Sequence, residues 1–145
     1  MQKKPRRIDP AKEKRMADLE QLKQKYNPVI AAINSFSEYG AKVEAVDLAG
    51  EQLHIKASVP SKVVANRVWD AIKKVDPSYA DLKHEIATAG GDTQPYTIKS
   101  GDSLSKISKL FYGDANKYNE IAQANGIPNP DRIQAGQQIN LPVLD

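Results

Sequence analysis

Apolar positions recur along this chain at two different periods, and the changes of period mark out its elements. After Asp9-Pro10, Met16, Leu19, Leu22 and Tyr26 form a thin stripe at helical spacing. That dipeptide starts helices because the carboxylate caps free N–H groups and proline is tolerated in the first turn. Asn27-Pro28 repeats the signal, and Val29, Ile30, Ile33 and Phe36 continue the spacing until Gly40 supplies a stop. Two helices are expected, or one kinked at Pro28. Beyond Lys42 the period falls to two. Val46 and Leu48 lead to a turn at Ala49-Gly50, and Leu53, Ile55, Ala57 and Val59 then alternate with His54, Lys56 and Ser58, the signature of a half-buried strand. Pro60-Ser61 opens a helix with Val64, Val68, Ala71, Ile72 and Val75 along one face, closed by Asp76-Pro77. A last strand sets Leu82, His84 and Ile86 against Asp81, Lys83 and Glu85. From Pro28 to Thr88 the order is helix, strand, strand, helix, strand, which as two helices on one face of a sheet makes a compact α+β layer pair.

Residues 89–95, Ala-Gly-Gly-Asp-Thr-Gln-Pro, read as a linker or exposed turn. Tyr96 to Lys99 is short and β-favouring, and Ser100-Gly101-Asp102 makes a turn. Asp102 or Ser103 can cap a helix in which Leu104, Ile107 and Phe111 share a face, ended by Gly113. Asp114 can cap a second helix with Tyr118, Ile121 and Ala122 buried and Asn125-Gly126 as its exit. A Pro-containing loop follows, and Gln137 to Leu141 forms a strand with Ile139 and Leu141 facing in.

Those residues carry a resemblance. Tyr96-Thr97-Ile98-Lys99-Ser100-Gly101-Asp102-Ser103-Leu104, then Ile107, Tyr112-Gly113, Tyr118, Ile121, Ala124-Asn125, Ile133 and Gly136-Gln137-Gln138-Ile139-Asn140-Leu141-Pro142 resemble a complete LysM domain in order and spacing. The resemblance implies a βααβ fold that binds N-acetylglucosamine-containing glycans of the peptidoglycan or chitin type in a shallow groove. Carried onto this chain, one wall of the groove is Gly101, Asp102, Ser103 and Leu104, and the other is Asn125, Gly126, Ile127 and Pro128. Backbone amides, small apolar contacts and glycine suit an N-acetyl group, which presents an amide and a methyl. The αββαβ order over 28–88 resembles the BON domain in pattern and length. BON and LysM domains occur together in small bacterial proteins, among them cytoplasmic ones that bind potassium, and this brings in potassium as an alternative ligand. A large, weakly hydrated cation can be held by carbonyl oxygens, with the loops at Ala49-Gly50 and Ala89 to Asp92 as candidates. The fold class expected is therefore α+β: a basic helical arm over 1–27, a BON-like unit over 28–88, a linker over 89–95 and a LysM unit over 96–145.

Composition narrows the function. With no cysteine, packing rather than disulfides or thiolate–metal bonds must hold the small units together. The formal charge of +3 conceals an uneven distribution. Residues 1–25 carry nine Lys/Arg against four Asp/Glu, residues 26–95 seven against nine, and residues 96–145 five of each. The arm thus suits an acidic partner by general attraction, but it lacks the aromatic residues and helix-turn-helix spacing of specific nucleic-acid recognition. No apolar run is long enough for an export signal or a bilayer span. A cytoplasmic protein is expected, or one of the cell envelope if the start is trimmed. No G-x-S-x-G, H-E-x-x-H, Walker-type loop or EF-hand series is present, and His54 and His84 sit on separate strands on opposite faces. The expectation is a binding protein, not an enzyme, with no cofactor other than potassium. Trp69 is expected as a half-buried anchor against the sheet, and the spacing of Tyr112, Gly113 and Tyr118 as packing.

Overall fold

The computed structural model describes residues 9–144. Residues 1–8, which hold part of the expected basic arm, lie outside it. Helix α1 (Pro10–Lys25) is capped by Asp9, whose carboxylate accepts from Ala11 N at 3.1 Å, and α2 (Asn27–Ser35) follows directly. Strands β1 (Lys42–Ala49) and β2 (Gln52–Val59) form an antiparallel hairpin. Helix α3 (Lys62–Val75) is capped by buried Ser61, whose Oγ accepts from Val64 N at 3.3 Å. It crosses over to β3 (Leu82–Thr88), which pairs with β2 in parallel, giving sheet order β1-β2-β3. The chain ends with β4 (Gln94–Thr97), α4 (Leu104–Tyr112), α5 (Tyr118–Ala124) and β5 (Gln138–Leu141), the two strands pairing antiparallel. The mixed α+β class and the βααβ order at the C-terminal end are as the sequence implies.

The alternation read in β2 is real: Leu53, Ile55, Ala57 and Val59 are buried against α2 and α3, while His54 and Lys56 face the open side. Several details differ from expectation. The sheet has a bulge at Glu44, which interrupts the register between Val43 and Ala45 and keeps Val43 and Val46 on the same face. The stripe on α1 is shallow. No residue of that helix is buried, and Met16 remains 55% exposed. Its last turn is anchored instead by charge, with Lys25 Nζ 3.0 Å from Asp76 and 2.7 Å from Asp81 while buried Tyr26 donates to Asp81. Strand β4 starts at Gln94 rather than Tyr96, so two residues expected in the linker are paired, Gln94 with Leu141 and Pro95 with Asn140. A proline is tolerated there because each strand of a two-stranded sheet has a free edge.

His84 does lie on the helix-facing side of β3, opposite Ile55, but β3 is an edge strand and the side chain is exposed. It rests against Trp69 and Tyr79, with ring centroids 5.1 and 6.0 Å away, and Trp69 is half-buried as expected.

The two expected units share one continuous buried cluster. Phe36 and Tyr39 from the first meet Tyr96 and Phe111 from the second, with Phe36–Phe111 centroids 5.2 Å and Tyr39–Phe111 centroids 5.3 Å apart. Polar contacts close the seam: Lys99 Nζ lies 2.9 Å from Glu38, and Arg67 Nε donates to Leu110 O at 3.2 Å. The segment between the units is pressed onto the first of them. A Cβ at Gly90 would stand 2.3 Å from the Pro60 carbonyl oxygen, so only glycine fits.

Candidate functional site

The turn after β4 builds one wall of a cleft. Gly101 adopts φ +87°, which favours glycine, and returns the chain toward α4. Asp102 Oδ2 then accepts from Lys99 N at 2.8 Å and from Tyr96 Oη at 2.5 Å, locking the turn onto β4. Burial and the hydrogen bond to Asp102 push the Tyr96 hydroxyl well above the usual tyrosine range. Of the two candidate caps, Ser103 is the one used. Its Oγ accepts from Lys106 N at 3.2 Å and lies 3.1 Å from Ser105 Oγ. Leu104, 1% exposed, packs into the core and lends only an edge to the cleft floor.

The opposite wall comes from the start of α5, Tyr118 and Asn119, and from the returning loop, Pro130, Asp131 and Ile133. Asp114 starts this region by accepting from Asn116 N at 2.9 Å, and Ser108 Oγ donates to the Asp114 carbonyl, tying the end of α4 to it. Between the walls lies an open cleft of about 440 Å³, within the range of small-molecule sites. Its apolar elements are Leu104, Tyr118, Pro130 and Ile133. Polar groups come from Asp102, Ser103, Ser105, Asn119 and Asp131.

Asp102, Ser103 and Leu104 of the expected site thus line the cleft, with Gly101 beside them. Asn125, Gly126, Ile127 and Pro128 do not line it; they form the exit from α5. Asn125 Nδ2 donates to the carbonyls of Ile121 and Asn140, each at 2.8 Å, and its Oδ1 accepts from Asn140 N at 2.8 Å. Ile127 N donates to Ala122 O at 2.9 Å, closing the helix end. Sequence reading missed Ser105, Asn119, Pro130, Asp131 and Ile133 as wall residues, and Tyr118, expected as buried packing, is half-buried and lines the cleft as well. Ser105 was within reach, since it stands beside the helix cap, but the loop residues arrive by a long-range return with no local signal. As expected, Tyr112 is a packing residue, its hydroxyl donating to Pro142 O at 2.6 Å.

A family model for the LysM domain matches residues 96–142, the span of this cleft and of β4 to β5. Residues 96–142 are a LysM domain. Relatives share parts of the chain. An uncharacterised protein of Deinococcus radiodurans is 56% identical over 52 residues, 36% of this chain and 20% of the relative. The "Potassium binding protein Kbp" of Escherichia coli O6:H1 is 50% identical over 64 residues, 43% of each chain. The "LysM domain-containing GPI-anchored protein 2" of Arabidopsis thaliana is 38% identical over 96 residues, 66% of this chain and 26% of the relative. The chain spans less than half the length of these relatives. Some other matches bear enzyme names. Among the described residues no group of three or more His, Cys, Asp or Glu side chains could hold a metal ion, and no helix is long and apolar enough to cross a membrane.

Proposed function

We propose that this is a non-catalytic binding protein whose LysM cleft takes an N-acetylglucosamine-containing glycan. The observation that carries the reading is the cleft's division of labour. Tyr118 and Ile133 offer apolar contact for an N-acetyl methyl, and Ser105, Asn119 and Asp131 offer hydrogen bonds to an amide and hydroxyls. The fold alone would not decide it, because folds host sites without dictating ligands. The unit over 28–88 we read as BON-like, the protein as cytoplasmic, and the basic arm as a contact for an acidic partner.

A second reading, potassium binding, has its own support. One relative is named for potassium binding, and the Gln94 side chain, 3% exposed, leaves its Oε1 without a hydrogen-bond partner among the described residues. A buried carbonyl oxygen of that kind is costly unless something satisfies it, and a weakly hydrated cation is suited to do so.

Calorimetric titration separates the two. The glycan reading expects heat with a chito-oligosaccharide, reduced roughly tenfold or more in affinity by Asn119→Ala with Asp131→Ala while potassium has no effect. Heat with potassium chloride but not sodium chloride, weakened by Gln94→Leu and absent with the oligosaccharide, would reverse the ranking.

A further inference from the structure

The three-stranded sheet has two outer edges of different character. On β1 the bulge at Glu44 breaks the ladder and bends the strand, a feature that discourages addition of another strand. Strand β3 has no such device. It pairs with β2 from Leu82 to Thr88 without a register shift and contains no proline, and among the described residues nothing pairs with its outer edge. Lys83, His84 and Glu85 along it are all exposed.

Bonds at the two ends of β3 fix which peptide groups face outward. Leu53 N donates to Asp81 O and Ala89 N donates to Val59 O, both at 2.8 Å, so the odd-numbered residues turn toward β2. By the alternation of a strand, His84 and Ile86 turn their N–H and C=O groups to the open edge. The side chains of Lys83 and Glu85 stand on the open face of the sheet, beside His54 and Lys56 of β2.

A second strand of the same sequence, laid antiparallel about a twofold axis at His84, meets a complementary partner. His84 falls opposite His84, Lys83 opposite Glu85 and Leu82 opposite Ile86. The outward groups make the central His84 pair a hydrogen-bonded one. The Lys83 and Glu85 pairs therefore occupy the intervening positions, where opposed side chains come closest, with Cβ atoms about 4.5–5.5 Å apart. Opposite charges then face each other on both sides of the axis. The Glu85 carboxylate, which uses Oε2 on His54 at 3.0 Å, keeps its other oxygen for the incoming ammonium. We propose that the protein self-associates through β3 as a twofold dimer, joining two three-stranded sheets into one.

Sedimentation equilibrium of the full chain from roughly 1 to 200 µM tests this. The expected result is a concentration-dependent doubling of mass. Lys83→Glu and Glu85→Lys, each placing like charges in apposition twice, weaken association roughly tenfold or more, and the double exchange Lys83→Glu with Glu85→Lys restores it. His84→Pro removes an outward N–H without touching the ladder to β2 and yields a monomer with an unchanged far-ultraviolet circular dichroism spectrum. A monomer throughout the range for the parent chain overturns the proposal. So does a dimer indifferent to the single exchanges and to His84→Pro, which would place the interface elsewhere, as on the exposed Met16 face of α1.

Discussion

In the half that carries the three-stranded sheet, apolar alternation holds the fold: Leu53, Ile55, Ala57 and Val59 lie fully or almost fully buried under α2 and α3. The LysM half has two strands of four residues each and two short helices, too little regular structure to close by alternation alone. It compensates with polar side chains that tie loops to backbone: Asp102 on Lys99, Ser103 on Lys106, Asp114 on Asn116, and Asn125 on Asn140. The consequence is functional. Polar residues that look available for a ligand in the small half are partly committed to its architecture, Ser105 included through its hydrogen bond to Ser103, so the proposed glycan contact falls mainly on Asn119 and Asp131.

The two halves are tied together most strongly at the seam. Phe111 touches Phe36, Tyr39 and Tyr96, so Phe111→Ala should cost about 3–5 kcal/mol and lower the unfolding midpoint of both halves together. Fluorescence of Trp69, the only tryptophan and a member of the other half, reports this in urea. A Trp69 transition that stays in place would mean that the halves melt independently. Next, Asn125→Ala removes three side-chain hydrogen bonds to backbone and should cost about 1–3 kcal/mol. Asp131→Ala, on an exposed cleft rim, should cost less than about 0.5 kcal/mol while weakening glycan binding. Chemical unfolding of the two variants side by side tests whether architecture and ligand contact are divided as described.

The smallest effect concerns pH. Hydrogen bonds that the protonated ring donates to the Glu85 and Asp47 carboxylates raise the His54 pKa above its ordinary 6.5. A raised histidine contributes stability that is fully present below 6.5 and is lost as pH rises through the folded-state value. The same pairing lowers Glu85, whose contribution is present above 4.5 and lost as pH falls. Stability followed from pH 5.5 to pH 8.5 should therefore decline slightly, and His54→Gln should flatten that decline. An unchanged slope in the variant would assign the effect to other groups.

Much of the fold is legible in the chain because its signals are local. The alternation in β2, the starts at Asp9-Pro10 and Ser61, and the stop at Gly113 each act within a few residues, whereas α2 ends at Ser35 and Gly40 closes only the short turn Ser37–Tyr39 beyond it. What escapes reading is set by distant partners. The bulge at Glu44 depends on where β2 lies, and the exposure of His84 follows from β3 being an edge. At the site the same rule holds. Gly101 to Leu104 form their wall through neighbours in sequence. Asn125 is drawn away by Asn140, 15 residues along, and the second wall is supplied by residues 130–133 folding back.

Amide chemical-shift mapping with a chito-oligosaccharide tests glycan binding in the cleft residue by residue. Saturable shifts are expected to concentrate at Ser103, Ser105, Asn119, Asp131 and Ile133, with residues 125–128 changing little. Shifts centred on 125–128, or none anywhere in residues 96–142 at millimolar oligosaccharide, would contradict binding in the cleft.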